Sequence, residues 1–124
     1  MTTIKFRNYK CKVVYSRYAN NKRLAIALYD EEDYQPVATC TTNVNNEPLE
    51  YNEVVIKNWS ENEGVLNLLI DNNIIYPSHR TIQLGYVEAY VCYIKDNMVM
   101  LDNLLNKKQY VEISEIQNTI QFNQ

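Results

Sequence analysis

The chain predicts an α+β domain: an antiparallel β-sheet packed against one main α-helix, with additional C-terminal elements. Three observations lead there. The first third alternates apolar and polar residues with a period of two, the pattern of half-buried strands. Only one segment, NWSENEGVLNLLIDNN over 58–73, combines helical spacing with a marked start. The 124 residues, 46% of them apolar, suffice for one real core, so residues 1–124 are read as a single domain.

The elements follow in order. Ile4 and Phe6 share a face, as do Cys11, Val13 and Tyr15, and then Leu24, Ile26 and Leu28. This gives strands near 3–8, 10–18 and 23–30, with Ala19-Asn20-Asn21-Lys22 as a hairpin turn. The acidic DEEDYQ is a loop. Pro36 to Thr42, rich in Val and Thr, reads as a fourth strand. Residues 43–52 form a polar connection containing Pro48, and EVVIK at 53–57 is a short strand feeding the helix.

The helix is predicted over Ser60 to Asn73. Ser60 and Glu63 have the spacing of a capping box, in which each side chain satisfies the other's backbone amide. Val65, Leu66, Leu69 and Ile70 fall on one face. Asn72-Asn73 tolerates the left-handed turn that ends a helix. Gly64, one of two glycines in the chain, falls in the first turn, where it costs about 1 kcal/mol relative to alanine. Either something approaches that backbone closely or the glycine is incidental. Pro77 marks a turn. Thr81 to Tyr86 alternates, and Val87 to Ile94 continues as strand. After Asp96, MVMLDNLL and YVEISEIQNTIQF each fit helix or strand.

Composition narrows the function. No apolar run approaches the roughly 20 residues a bilayer span needs, and MTTIKFRNYK lacks a signal-peptide core. Cys11, Cys40 and Cys92 are far apart with no CxxC pair, which predicts reduced thiols in a cytoplasmic protein. Eleven tyrosines against two phenylalanines, with frequent asparagine, read as the coding bias of an AT-rich genome. The one histidine, His79, excludes a histidine-rich metal site, and no EF-hand, GxGxxG, P-loop or GxSxG pattern is present. No cofactor is expected and nothing argues for an enzyme. A Cys92–His79 dyad competes poorly with Cys92 as a core thiol. The segment from Met1 to Tyr29 carries seven Lys or Arg and no acid, whereas Asp30 to Gly64 carries nine acids and one Lys. Either the two halves meet between subunits, predicting a homo-oligomer, or the basic stretch meets an anionic ligand, or each run is a solvated strand face whose partner lies within one fold. The basic stretch includes Tyr9, Tyr15 and Tyr18, which can stack bases. Alternation splits its charges between two faces and the chain is acidic overall, so nucleic-acid binding is not expected.

Three stretches carry a resemblance: RYANNKRLAIALYDEEDYQPVATCTTNV, EVVIKNWSENEG and RTIQLGYVEAYVCYI. Together they cover about residues 10–95, and NWSENEG is the most specific. The pattern resembles a family of small phage and mobile-element proteins, the first type of Thoeris anti-defence protein. That resemblance implies a sponge. Infected bacteria make a cyclic ADP-ribose isomer that activates an effector, and the sponge binds it tightly without degrading it. Members of the family are homo-oligomers with the ligand held at a subunit interface. The tail after Asp96 carries no resemblance.

Such a ligand needs an aromatic platform, amide or carboxylate partners and a guanidinium for phosphate. Asn62, Trp59 and Arg80 are the leading candidates, with Tyr51, Asn58 and His79 beside them. Each has a plainer reading: Trp59 as a core anchor, Asn58 and Asn62 as helix-entry hydrogen bonders, Arg80 in a surface ion pair, His79 as a loop residue. Glu61 and Glu63 place negative charge where a helix start would otherwise welcome an anion, so arginines must hold any phosphate near it. Two other readings compete with the sponge. One is an inhibitor that binds a host defence protein through the acidic face around Asp30 to Asp33. The other is an enzyme that cleaves the nucleotide.

Overall fold

The alternating first third folds as expected into an antiparallel sheet. A computed structural model describes residues 3–95 and 111–112. Strands β1 (Thr3–Phe6), β2 (Tyr9–Arg17), β3 (Leu24–Asp30) and β4 (Pro36–Thr39) lie in the order β1-β2-β3-β4. The registers Ile4↔Cys11, Val13↔Leu28 and Tyr15↔Ile26 put the predicted apolar residues on one face. The Asn20-Asn21 turn forms, closed by Lys22 N donating to Tyr18 O at 2.9 Å, with Lys22 in the left-handed region at φ 63°. The acidic loop is held by its own carboxylates: Asp30 Oδ1 accepts from Glu32 N and Asp33 Oδ1 from Gln35 N.

The predicted fourth strand is two strands in two sheets. β4 ends at Thr39, and β5 (Thr41–Thr42) opens a second sheet with β6 (Glu53–Ile56), β7 (Ile75–Leu84) and β8 (Val87–Ile94), in the order β5-β6-β8-β7. Cys40 is the crossing point. Its amide donates to Ile26 O in the first sheet, and its carbonyl accepts from Lys57 N beside the second, both at 2.8 Å. The expected single sheet is therefore two, and the domain is mostly antiparallel β with one helical segment. Of the tail, only Val111–Glu112 is described. It forms β9 against Val14 and Tyr15 of β2; the remainder of the predicted tail elements lies outside the described residues.

The helical segment departs from its prediction at the start. Ser60–Asn62 is a 3-10 turn, and the α-helix α1 covers Val65–Asp71. The capping box does not form. Ser60 sits in the left-handed region at φ 55°, and the Glu63 amide donates to the Ser60 backbone carbonyl at 3.2 Å in place of its hydroxyl. Asn58 caps instead: its Oδ1 accepts from Gly64 N at 3.2 Å and Leu66 N at 2.8 Å. Gly64 is the residue before the helix, at φ 97°, a conformation that favours glycine. A Cβ built there meets nothing within 4 Å among the described residues, so within the chain the positive φ is what favours glycine. The end follows expectation. Asn73 adopts φ 61°, its amide donates to Ile70 O, and Ile74 N donates to Leu69 O, the paired bonds of a Schellman motif. Val65 and Leu69 are fully buried, while Leu66 and Ile70 are partly so.

β6 is apolar beyond its first residue because both faces are covered. Val54 and Ile56 enter the main core with Cys92, Ile94, α1 and the inner face of the first sheet. Val55 faces the other way with Ala89 and Val91, forming a second cluster under Val44, Leu49, Trp59, Ile82 and Leu84. Residues 43–52 thus cover the far face of the second sheet. The connection is tied down by Arg23, which donates to Val44 O at 2.6 Å and Glu47 O at 2.5 Å, and by Asn21 Nδ2, which donates to Asn43 and Asn45.

The stretch read as alternation through Gly85 and Tyr86 into one continuing strand is a hairpin. Leu84 pairs with Val87, and Gly85 takes φ 60°, as the first position of a tight two-residue turn requires. Pro77, expected in a turn, lies inside the edge strand β7, where its missing N–H costs no ladder bond. Ser78 and His79 bulge out directly after it.

Candidate functional site

The residues singled out in the sequence divide between two faces. Asn62 is 1% exposed, and its Nδ2 donates to Thr39 O at 2.6 Å. It lines a groove of about 280 Å³ between β4 and the 3-10 turn, together with Lys57 and Glu61. The Lys57 ammonium, 2.6 Å from Glu61 Oε2, holds the Glu61 carboxyl below its ordinary value. Arg80 lies elsewhere, in an open cleft of about 290 Å³ lined by Pro48, Leu49, Glu50, Glu53 and Tyr93. Trp59 lines neither. It is half-buried on the same face of the second sheet as Arg80, packed on the Val55–Ala89–Val91 cluster.

The other candidates have settled roles or lie apart. Asn58 spends its carbonyl oxygen on the start of α1. Tyr51, 73% exposed, stands in the turn before β6. His79 is exposed on the bulge at φ 66°, on a strand and not in a loop. Arg80 follows it in β7 opposite Val91 and shares the face of Ile82 and Leu84.

The Arg80 cleft has the richer chemistry. Arg80 Nη1 is 3.1 Å from Glu47 Oε2, and Nη2 donates to Pro48 O at 2.7 Å and reaches Glu53 Oε1 at 3.5 Å. Glu53 is 6% exposed and also accepts from Glu50 N at 2.8 Å. A carboxylate this buried requires such partners. Tyr93 pairs with Glu53 across the sheet, and its ring lies 5.4 Å from that of Tyr76. The site is thus a buried carboxylate, a guanidinium and a tyrosine pair on one sheet face. Glu47, Glu53, Tyr76 and Tyr93 were missed in the sequence. One signal was present: Glu53 opens an otherwise apolar strand, and a carboxylate there demands a cation from elsewhere in the chain.

The three thiols are buried. Burial pushes Cys40 and Cys92 up to about 12 and raises Cys11. Cys92, a neighbour in register of Pro77, is fully buried and faces the main core while His79 is exposed on the bulge, so the geometry lends a Cys92–His79 dyad no support. Among the described residues no group of His, Cys, Asp and Glu could hold a metal ion, and no helix is long and apolar enough to cross a membrane.

Two arginines of the basic quarter bond the acidic quarter within the fold. Arg7 of the basic quarter donates to Glu61 O at 3.0 Å and Glu63 O at 3.2 Å, and Arg23 to Val44 O and Glu47 O. These are backbone carbonyls of the acidic quarter, so the asymmetry does not by itself require a second subunit. No protein-family model, curated protein or solved structure matches the chain.

Proposed function

We propose that the protein is a nucleotide sponge: it binds a cyclic ADP-ribose-type nucleotide and holds it without degrading it, acting as a phage anti-defence protein in the cytoplasm of the infected host. The observation that carries this reading is the juxtaposition of Arg80, Glu53, Glu50 and Tyr93 in one cleft. Each part matches one portion of the ligand. The Tyr93–Tyr76 pair offers a stacking surface for the base. Glu50 and Glu53 are acceptors for ribose hydroxyls. The Arg80 fork suits a phosphate. The cleft, about 290 Å³, stands at the lower limit of small-ligand sites, roughly 300–1,000 Å³. One chain therefore grips part of such a nucleotide, and a homo-oligomer in which a second copy closes the cleft completes the site.

A second reading has its own support. Tyr34, 53% exposed, stands in the acidic turn between Asp30 and Gln35. An exposed aromatic that follows Asp30 to Asp33 in the chain, with the Lys12 ammonium over its ring, suits a protein partner, such as a host defence protein. One experiment separates the readings. The chain is incubated with the cyclic nucleotide, desalted and heated. Release of intact nucleotide supports the sponge. Release of altered nucleotide indicates turnover. No retention favours the protein inhibitor.

A further inference from the structure

We propose that Glu47 is a built-in competitor for Arg80, so that the cleft's affinity for a phosphate-bearing anion is set by how readily Glu47 releases the guanidinium. The inference rests on the nucleotide reading above and concerns its phosphate end. Arg80 is already engaged, by Glu47 at 3.1 Å, Pro48 O at 2.7 Å and Glu53 at 3.5 Å. The cleft and its rim set three carboxylates, Glu47, Glu50 and Glu53, against this one guanidinium, a balance that repels anions.

The two carboxylates on Arg80 differ in what holds them. Glu53 is 6% exposed on β6 and also accepts the Glu50 amide, so stripping it of Arg80 leaves a buried charge short of partners. The Glu47 side chain is 30% exposed. Its backbone is fixed independently, since Arg23 binds the carbonyls of Val44 and Glu47, and Asn21 binds Asn43 and Asn45. Glu47 can therefore swing into water by side-chain rotation alone. The connection stays in place, Glu53 stays paired, and Nη1 is freed for a phosphate oxygen. The exchange trades one anionic partner of Arg80 for another, so its cost lies only in releasing a partly exposed ion pair.

The test is calorimetric titration of the full chain with ADP-ribose and, separately, with inorganic pyrophosphate. Glu47→Gln is expected to bind both roughly three- to tenfold more tightly than the parent. Glu61→Gln removes the same charge in the Lys57 groove and is expected to change neither. In an Arg80→Lys background, which keeps a cation for Glu53 but loses the planar fork, Glu47→Gln is expected to bring no gain. Melting curves establish that each variant is folded. The proposal is overturned if Glu47→Gln binds no more tightly than the parent, or if Glu61→Gln gains equally. If the parent still binds nucleotide in that event, and Arg80→Lys weakens it, the sponge reading survives alone. If neither the parent nor Glu47→Gln binds either probe, the proposal falls, and retention of the cyclic nucleotide in the heat-release experiment decides the sponge reading separately.

Discussion

Replacing Asn58 with alanine tests how the helical segment is begun. Asn58 Oδ1 accepts from Gly64 N at 3.2 Å and from Leu66 N at 2.8 Å, so the substitution orphans two amides at the start of α1. Loss of a cap costs about 0.5–2 kcal/mol, and leaving a partly buried donor unsatisfied adds toward the upper end. The expected loss is about 1.5–2 kcal/mol. Ser60→Ala is the matched control, because Ser60 is exposed and the Glu63 amide bonds its backbone carbonyl, which the substitution keeps. It should stay within about 0.5 kcal/mol. Ser60→Gly should stabilise by up to about 1 kcal/mol, since glycine relieves the left-handed backbone at φ 55°. Urea denaturation with a shared slope reads all three. If Ser60→Ala loses more than Asn58→Ala, the capping box exists after all and this account of the segment is wrong. The same series bears on the ligand. Asn58→Ala should change stability without weakening nucleotide binding beyond what unfolding explains.

Three further outcomes are expected. Leu69→Ala, at a fully buried site, should cost about 2–5 kcal/mol, and Leu66→Ala, partly buried, clearly less; equal costs in thermal melts would place the wrong face inward. Tyr15→Phe should be neutral or stabilising, because the Tyr15 hydroxyl is buried with no hydrogen-bond partner among the described residues; a loss above about 1 kcal/mol would reveal a hidden partner. Alkali should destabilise the fold. Burial raises the folded Cys40 and Cys92 thiols from 9.0 to about 12. The unfolded chain therefore releases protons first, and the associated stability, complete below about pH 9, is lost as pH climbs toward 12. Denaturation midpoints at pH 7 and pH 10 that coincide would contradict this.

The sequence by itself determined what local chemistry controls. Period two set the strands of the first sheet and put Val13, Tyr15, Ile26 and Leu28 on its core face. Asparagine marked the hairpin turn and the helix end: Asn21 Oδ1 accepts from the Arg23 amide beside the left-handed Lys22, and Asn73 itself takes the left-handed backbone. Other features depended on partners distant in sequence. Val37, Ala38 and Thr39 before Cys40 and Thr41 and Thr42 after it read as one continuous strand, so nothing local reveals that β4 and β5 belong to different sheets. Ser60 and Asn58 both suit a cap, and the competition was decided when Gly64 supplied φ 97° and brought two amides to Asn58. Of the candidate site, the sequence offered Arg80 but grouped it with Trp59, which lines neither cleft, and with Asn62, which the fold buries against Thr39. Glu47 and Glu53 reach Arg80 across 33 and 27 positions of chain. Ion pairs over such separations leave no periodic mark; only the sheet order β5-β6-β8-β7, with the 43–52 connection folded over its far face, brings them together.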